Sequence, residues 1–463
     1  MRSRCLTALA ALCLGLAPSH ALVEPKVEGW EAAVEAARQL CTAPGSDLIP
    51  EALEEFGALS SALVDAPLHD LMVELEERRN LKFLYFTPWH VKDRDQLRAW
   101  LKEQLAKEYP PSKVAEEEAK LKALGLVPDS FRLVPFMEEL FTSQVAGVYD
   151  PVKDQFFLVD TTAGLNFRQR ATSWATQGLM ARAGLAAGDQ VAIVTIHELD
   201  HALGGQHFPV LKRFGEGLKD MSTDQQMAVQ ALIEGDASFV MFDHQYKTPP
   251  KEMGEKTYVD AALMVKLVGM MVTFPIPLPG TAEVSNAPLY FQKGLMFPYL
   301  NGAGFVSAMR HVTEDWAAVD SAYGMLPSST EQILHPESYL YVSTPPSTPD
   351  LSGLPKSVGA WKTVAEDSGG EFLVRIVLEQ NRVSDFVSAA EGWNGDRFRV
   401  YKHASTGKLA FLWALRWDSD QDAEEFVAAA STLPFRLESD RGTTYLSNGF
   451  DPVTLEGLRG KVR

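Results

Sequence analysis

HELDHALGGQHF, residues 197–208, is the stretch that decides how this chain is interpreted. Its first two histidines, His197 and His201, are four residues apart, so on a helix they lie one above the other on the same face. Glu198 follows the first of them, and an apolar segment (191–196) comes before. An apolar helix holds such polar side chains only where a metal ion or a polar network compensates their burial. The stretch therefore predicts a metal site on a helix.

The residue types in this stretch predict the chemistry of the site. His197 and His201 are expected to be two ligands of one catalytic Zn²⁺ ion, which leaves a coordination position for water. Zinc lowers the pKa of that water, and Glu198 can take its proton as a general base while a polarised carbonyl is attacked. The predicted reaction class is metal-assisted hydrolysis.

Two residues compete for the role of third protein ligand. Glu234 lies in an apolar helical segment (227–246), where an inward-facing carboxylate needs a cation to compensate its burial. His207 completes the longer pattern H-E-x-x-H-x-x-G-x-x-H, in which the helix must stop so that the chain returns to the metal. Gly204 and Gly205 permit such a turn. No recognisable methionine turn follows, which weighs against His207, but the residues alone leave both ligands open.

Beyond the zinc pattern, the chain carries a family resemblance. HELDHALGGQHF followed by ALIEGDAS (231–238) resembles the gluzincin group of zinc metallopeptidases, and closely a set of uncharacterised exported bacterial proteins. Further segments resemble those proteins: VAGVYDP (145–151), FPYLNGAGFV (297–306), PSSTEQILHPESY (327–339), GWNGDR (392–397) and WDSDQDAEEF (417–426). The resemblance implies a zincin-like fold, peptide-bond hydrolysis and Glu234 as the third ligand.

Two further expectations follow from this resemblance. Thermolysin-like members of the group often carry an Asp four residues after the ligating Glu to orient a histidine ligand, whereas Ser238 stands there in this chain and Asp236 is two residues away from Glu234. Gluzincins also bring a late His or Tyr to the oxyanion formed at the scissile carbonyl. His335, with Tyr339 nearby, is the predicted counterpart; alternatively, His335 is a loop histidine bonded to the backbone.

A hairpin is predicted just before the metal helix. VAGVY (145–149) and QFFLVD (155–160) are strand-like, and residues 150–154 between them read as a turn. The first strand is a candidate sheet edge along which an extended peptide could add as a further strand; alternatively, it is an ordinary edge strand.

Composition and charge limit the class of partner. The 463 residues include 46% hydrophobic and 22% charged residues, as in ordinary globular proteins, and the net charge is −18. Nucleic acid is disfavoured as a partner, because phosphate backbones are bound by clustered Lys and Arg. The expected partner is a peptide or protein substrate.

The N-terminus predicts export. Arg2 and Arg4 precede an apolar run (5–17) and the small-residue pattern Ser19-His20-Ala21, so residues 1–21 are expected to be a signal peptide. The protein would then be periplasmic or secreted. The apolar stretch 261–274 is too short to span a bilayer and predicts a buried or pocket-lining helix, so no transmembrane segment is expected after removal of the signal.

The predicted fold class is α+β, with a zincin-like metallopeptidase core. A mostly helical N-terminal part contains one strand at 81–86, and a small α+β C-terminal domain, with a tight turn at GWNGDR, has a packing or recognition role. The expected boundaries are 1–21 signal peptide, 22–130 helical region, 131–343 catalytic domain, 344–355 Pro-rich linker and 356–463 accessory domain.

The function expected from the sequence is that of a zinc-dependent metallopeptidase, with His197, His201 and Glu234 as ligands and Glu198 and His335 as catalytic residues. Two alternatives stay open. One is a zinc-binding scaffold or assembly protein of zincin fold with little hydrolytic activity. The other is a metal-dependent hydrolase of a non-peptide amide.

Overall fold

The structure is a computed structural model that describes residues 68–159, 190–212, 220–246, 286–342, 345–440, 442–459 and 461. The chain divides into two compact units, residues 1–73 and 74–463, and every element named below belongs to the second. The predicted signal peptide and the apolar stretch 261–274 lie outside the described residues. The predicted domain boundaries stay predictions.

Helices and strands are mixed along the described chain, which confirms the α+β class. The helices are α1 (Arg94–Glu108), α2 (Pro111–Ala123), α3 (Leu133–Gln144), α4 (Gln190–His207), α5 (Pro209–Lys212), α6 (Thr223–Tyr246), α7 (Leu289–Thr313), α8 (Ala317–Ala322), α9 (Thr330–Leu334), α10 (Gly370–Gln380), α11 (Asp420–Ala430) and α12 (Pro452–Arg459), with a π-helical turn at Ser338–Val342. The strands are β1 (Trp89–Lys92), β2 (Gly147–Asp150), β3 (Gln155–Val159), β4 (Ser357–Val358), β5 (Trp361–Asp367), β6 (Trp393–His403), β7 (Leu409–Trp417), β8 (Arg436–Asp440) and β9 (Thr443–Asn448). Within the described ranges, each helix is either too short or too polar to cross a lipid bilayer.

A three-stranded sheet precedes helix α4 in the sequence, with strand order β1-β3-β2. Strands β2 and β3 form the predicted antiparallel hairpin, and β1 pairs parallel to β3. Asp150 closes the turn, because its carboxylate accepts the backbone N–H groups of Val152 and Lys153 at 3.1 Å each. The β2 strand therefore lies at one edge of the sheet, as the sequence predicts.

The strand predicted at 81–86 is wrong, because the strand in this region is β1 and residues 81–88 are irregular. The side chain of Gln206 explains the difference. Its carbonyl oxygen accepts the N–H of Leu84 at 2.7 Å, and its amide nitrogen donates to the carbonyl of Tyr85 at 3.0 Å. The backbone at these residues is thus bonded by a side chain from α4 instead of by a neighbouring strand.

Helices α4 and α6 cover the two predicted apolar helices. On α4 the apolar side chains recur at three- and four-residue spacing, so that Ile196, Leu199 and Leu203 are buried together on one face. Helix α6 packs against both α4 and α7, and its contact with α7 is the most extensive between any two helices of the described chain. These three helices build the part of the molecule that holds the candidate site.

The C-terminal part of the described chain contains a six-stranded antiparallel sheet in the order β4-β5-β6-β7-β9-β8. Leu455 and Leu458 of α12 pack on one face of it, with Tyr401 and Leu412 of the central strands. Helices α10 and α11 place Val374, Val377, Leu378 and Phe426 around Trp413 and Leu446 of the sheet. The sheet is thus covered by helices on both faces.

The tight turn predicted at GWNGDR is wrong, because β6 runs through it from Trp393 to His403. The register of the pairing between β6 and β7 shifts between Trp393 and Gly395, so the segment forms a β-bulge instead of a chain reversal. Asp396 is fully buried and accepts the N–H groups of Gly369 and Gly370 at 3.0 and 2.8 Å. Its carboxylate thus bonds the backbone at the start of α10, where helix N–H groups lack partners within the helix.

Candidate metal centre

Donor atoms of three side chains converge between α4 and α6. The Nε2 atom of His197 lies 3.1 Å from Nε2 of His201 and 3.3 Å from Oε2 of Glu234. The Nε2 atom of His201 lies 3.4 Å from the same carboxylate oxygen. Zinc bonds to nitrogen and oxygen of about 2.0–2.2 Å put neighbouring tetrahedral ligands about 3.3–3.6 Å apart. Within a few tenths of an ångström, the three donors therefore fit three corners of a zinc tetrahedron, with one corner left over.

His207 does not join this cluster. Helix α4 continues through Gly204 and Gly205 to His207, so the chain makes no turn back toward the other two histidines. The Nε2 atom of His207 bonds instead to the carbonyl oxygen of Lys82 at 2.7 Å. A Cβ atom at Gly205 would lie 2.6 Å from the hydroxyl of Tyr149, so close packing accounts for this glycine without a helix end. The geometry favours Glu234 over His207 as the third donor.

The position of Glu234 depends on a close crossing of α6 and α7. A Cβ atom at Gly235 would lie 2.2 Å from the carbonyl carbon of Gly302, and a Cβ at Gly302 would lie 2.0 Å from the carbonyl oxygen of Ala231. Any larger residue at either glycine would push the helices apart. Gly235 thus lies in the interior of α6 because a second backbone passes beside it.

The charges in the cluster are not balanced by a basic side chain. Glu234 pairs with the two histidines, and no lysine or arginine of the described residues pairs with it. Burial alone would raise the pKa of Glu234, but His201 and hydrogen bonds from both histidines hold it well below its usual range. Burial also disfavours a charged His201, but the Glu234 carboxylate outweighs this and raises the pKa of His201 to about 9. The cluster therefore attracts a positive charge, which a proton or a metal ion can supply.

Glu198 is only 6% exposed and lies against the β2 edge strand. A Cβ atom at Gly147 would come within 2.9 Å of the Glu198 side chain, so β2 can approach α4 only through a glycine here. The backbone N–H of Tyr149 donates to the Glu198 carboxylate, while burial raises the pKa of that carboxyl. The structure thus places the predicted base between the ligand cluster and the sheet edge.

Tyr299 on α7 contacts two of the three donor residues, and sequence reasoning missed it. Its ring stacks on the imidazole of His197, with 5.9 Å between centroids and 25° between planes. Its hydroxyl hydrogen-bonds to the Glu234 carboxylate, and the negative charge of Glu234 together with burial raises the pKa of Tyr299 well above its usual value. The segment FPYLNGAGFV carried a family resemblance but no chemical signal that distinguishes this tyrosine from an ordinary core residue.

A second group that sequence reasoning missed is an ion-pair cluster around Arg79, which joins Asp200 of α4 and Asp236 of α6. Arg79 is 1% exposed and bonds the carboxylates of Asp236 and Asp320 at 2.8 Å each, with Asp200 at 3.9 Å. The hydroxyl of Tyr323 donates to Asp236 at 2.8 Å. Asp236 is therefore engaged by Arg79 and Tyr323 instead of orienting a histidine ligand. One arginine in a charge-rich helix gave no sequence signal for this role.

The orienting partner of the first histidine is not found in the described part of the chain. There the Nδ1 atom of His197 is buried and has no hydrogen-bond partner, and the same holds for the hydroxyl of Ser238. Histidine ligands of metals usually donate this N–H to a carboxylate or carbonyl. Ser238, four residues after Glu234, therefore makes no hydrogen bond to this nitrogen.

His335 makes its hydrogen bonds in a different cluster. Its Nε2 atom lies 3.1 Å from the carboxylate of Glu371, which Arg375 also bonds at 2.8 Å. The hydrogen bond to Glu371 raises the pKa of His335. Tyr339 donates to the carbonyl of Met325 at 2.6 Å. None of these bonds joins His335 to the donor cluster, and its predicted role at the oxyanion stays a prediction.

Comparison with known families identifies one region of the chain. Residues 358–452 match a family model described as Domain of unknown function (DUF8575). Comparison with the curated proteins and with the solved structures gave no match. The matched region begins after the donor cluster and contains none of its residues, so it carries no information on the chemistry of the site.

Proposed function

We propose that this protein is a zinc metallopeptidase of the gluzincin type that hydrolyses peptide bonds in a peptide or protein substrate. The observation that carries the proposal is the triangle of donors from His197, His201 and Glu234, with edges of 3.1, 3.3 and 3.4 Å. Two nitrogens and one carboxylate oxygen with a position left over are the donor set of a catalytic zinc site.

The chain's own residues supply the remaining parts of the reaction. A zinc ion held by the three donors would supply a Lewis acid that polarises the substrate carbonyl and makes water more acidic. Glu198 follows His197 in the sequence, and we propose that its carboxylate takes a proton from the attacking water and returns it to the leaving amine. Its burial against β2 holds the carboxylate in one place, as general-base catalysis requires.

The sheet edge supports a peptide as the substrate. Strand β2 is the edge strand next to Glu198, and an extended peptide can add to such an edge through main-chain hydrogen bonds. The strand is short, so the edge would align only the few substrate residues around the scissile bond. We propose this strand addition as the mode of binding.

The direct test is hydrolysis of a mixed peptide library by the full chain, with and without a chelator. We expect products from defined bonds, their loss with chelator and their return with added Zn²⁺. Glu198→Gln should abolish most of this activity, whereas Glu139→Gln, which changes an exposed glutamate on α3, should not. A parent protein that holds zinc but cleaves no peptide contradicts the proposal.

One observation favours the second candidate, a zinc-binding scaffold with little hydrolysis. Among the described residues, the buried Nδ1 atom of His197 has no hydrogen-bond partner, so this imidazole lacks the contact that usually orients a histidine ligand and raises its basicity. Retained zinc without cleavage of the peptide library is the result that this candidate predicts; cleavage of simple amides alone would identify a hydrolase of non-peptide amides.

We also propose that residues 1–21 direct export to the periplasm or the medium.

A further inference from the structure

We propose that Tyr299 is a positioning residue that holds the Glu234 carboxylate in the orientation in which it binds the metal ion. This inference rests on the metal centre of the proposed function. Its basis is that one side chain of α7 contacts a donor residue from each of the two ligand helices, His197 on α4 and Glu234 on α6. Tyr299 thus contacts both a histidine donor on α4 and the carboxylate donor on α6.

The first step of the argument is the fixed position of α7. Gly302 follows Tyr299 by three residues, so both lie on the same face of that helix. Gly302 contacts α6 at Ala231 and Gly235, which stand on either side of Glu234 in the sequence. The close backbone crossing therefore fixes the position of Tyr299 along α7 relative to Glu234 on α6.

The second step is the freedom that Glu234 would have without this contact. A glutamate side chain has several rotatable bonds, and ordering it on metal binding costs conformational entropy. In the described part of the chain no lysine or arginine holds Glu234 in place. A carboxylate that is already oriented binds a metal more tightly, because this ordering does not have to accompany binding.

The third step concerns why the partner is a phenol. A lysine or arginine beside Glu234 would also orient the carboxylate. Its positive charge, however, would repel the metal ion and neutralise the negative charge of Glu234 that attracts the ion. The hydroxyl of Tyr299 donates one hydrogen bond without adding a charge. It can thus orient the ligand while leaving the attraction for a cation intact.

The test is metal binding by Tyr299→Phe, which removes the hydroxyl and keeps the ring over His197. Zn²⁺ is titrated into the full chain against a competing chelator. We expect the Kd to rise by about 10–100-fold, the usual effect of losing a partner of a ligand. The visible absorption of the Co²⁺-loaded protein should change as well, because the ligand field depends on how the carboxylate binds.

Tyr290→Phe is the matched control. Tyr290 is a tyrosine on the same helix, nine residues before Tyr299 and so about 13 Å away along the axis. The Tyr290→Phe variant should bind Zn²⁺ with a Kd within about twofold of that of the parent, because Tyr290 does not contact the donor residues. The urea midpoint of the metal-free protein should be the same for Tyr299→Phe and the parent, which separates positioning from general destabilisation.

Three results overturn the inference. These are an unchanged Kd and Co²⁺ spectrum in Tyr299→Phe, an equal loss of affinity in Tyr290→Phe, and a shifted midpoint that accounts for the weaker binding. Its failure is distinguishable from that of the proposed function. A parent that binds Zn²⁺ but cleaves no peptide contradicts the peptidase alone, whereas a parent that binds no Zn²⁺ contradicts both.

Discussion

Among the described residues, the two clusters around Glu234 and Glu371 each combine histidine with a glutamate that is largely shielded from solvent, 18% exposed at Glu234 and fully buried at Glu371, and they differ in one component. In the donor cluster, His197 and His201 face Glu234, and no basic side chain of the described residues pairs with that carboxylate. In the second cluster, His335 contacts Glu371, which also bonds Arg375 at 2.8 Å. Glu371 is fully buried, so Arg375 compensates its charge from within the fold.

The difference separates a self-sufficient polar cluster from one that needs a ligand. A buried carboxylate must be paired with a positive charge or neutralised. Arg375 carries a permanent charge, so the charge of Glu371 is paired without any ligand. The cluster around Glu234 has only two imidazoles, whose charge depends on a proton, and a metal ion can replace that proton. Residue types alone do not distinguish the two clusters, whereas the neighbouring cation does.

The largest effect should come from removing the carboxylate of the donor cluster. Glu234→Ala leaves two histidine donors, so we expect zinc affinity to fall by about 10³-fold or more, beyond the ~10–100-fold loss typical of a residue that only supports a ligand. Metal content of the purified protein measures this. His207→Ala is the control and should keep its zinc, because His207 bonds to the backbone of Lys82. The reverse pattern would make His207 the third ligand.

The next effect concerns the base and should change turnover without changing metal content. Glu198→Gln keeps the shape of the side chain but cannot accept a proton, so we expect turnover to fall by about 10²–10⁴-fold, as for a typical general base. The measurement is hydrolysis of a cleaved library peptide together with the zinc content. Loss of zinc would make Glu198 part of the donor set, and unchanged turnover would rule out its role as the base.

The effect of pH on zinc affinity should be smaller than the effects of these two substitutions. Neighbouring Glu234 outweighs burial and raises the pKa of His201 to about 9 in the metal-free protein. Below that pH the imidazole carries a proton that the metal must displace, so affinity is highest above pH 9 and falls as the pH falls. We expect about a tenfold loss per pH unit, or about 100-fold between pH 9 and 7. Calorimetric titration in buffers of different ionisation enthalpy counts the released protons; a pH-independent Kd would contradict the expectation.

The smallest effect on the metal centre is expected for the second cluster. His335→Ala leaves Arg375 bonded to Glu371, so we expect unchanged zinc content and a loss of roughly 1–2 kcal/mol in unfolding free energy. Urea unfolding measures the latter. The predicted role at the oxyanion requires more: kcat/KM on a cleaved peptide must fall well beyond a few-fold. A value within a few-fold of the parent would leave His335 with a structural role only.

Local sequence patterns were sufficient to predict part of the fold and part of the donor cluster. The four-residue spacing of His197 and His201 places both on one face, because any α-helix repeats every 3.6 residues. The hairpin of β2 and β3 was predictable, because Asp150 and its neighbours carry the chemistry of a turn. The mixture of helices and strands followed in the same way from patterns within single elements.

What the sequence by itself determined is therefore the pair of histidines and the helices that carry the donors. Only the tertiary structure decided which residue joins them. Glu234 is 33 residues from His201, and its carboxylate reaches the cluster in an arrangement set by how the helices pack, including the crossing at Gly235 and Gly302. Tyr299 is placed by the same crossing. Glycine in a helix is compatible with a helix end, which His207 would need in order to be a ligand, or with a second backbone alongside. Contacts between distant segments decide between the two.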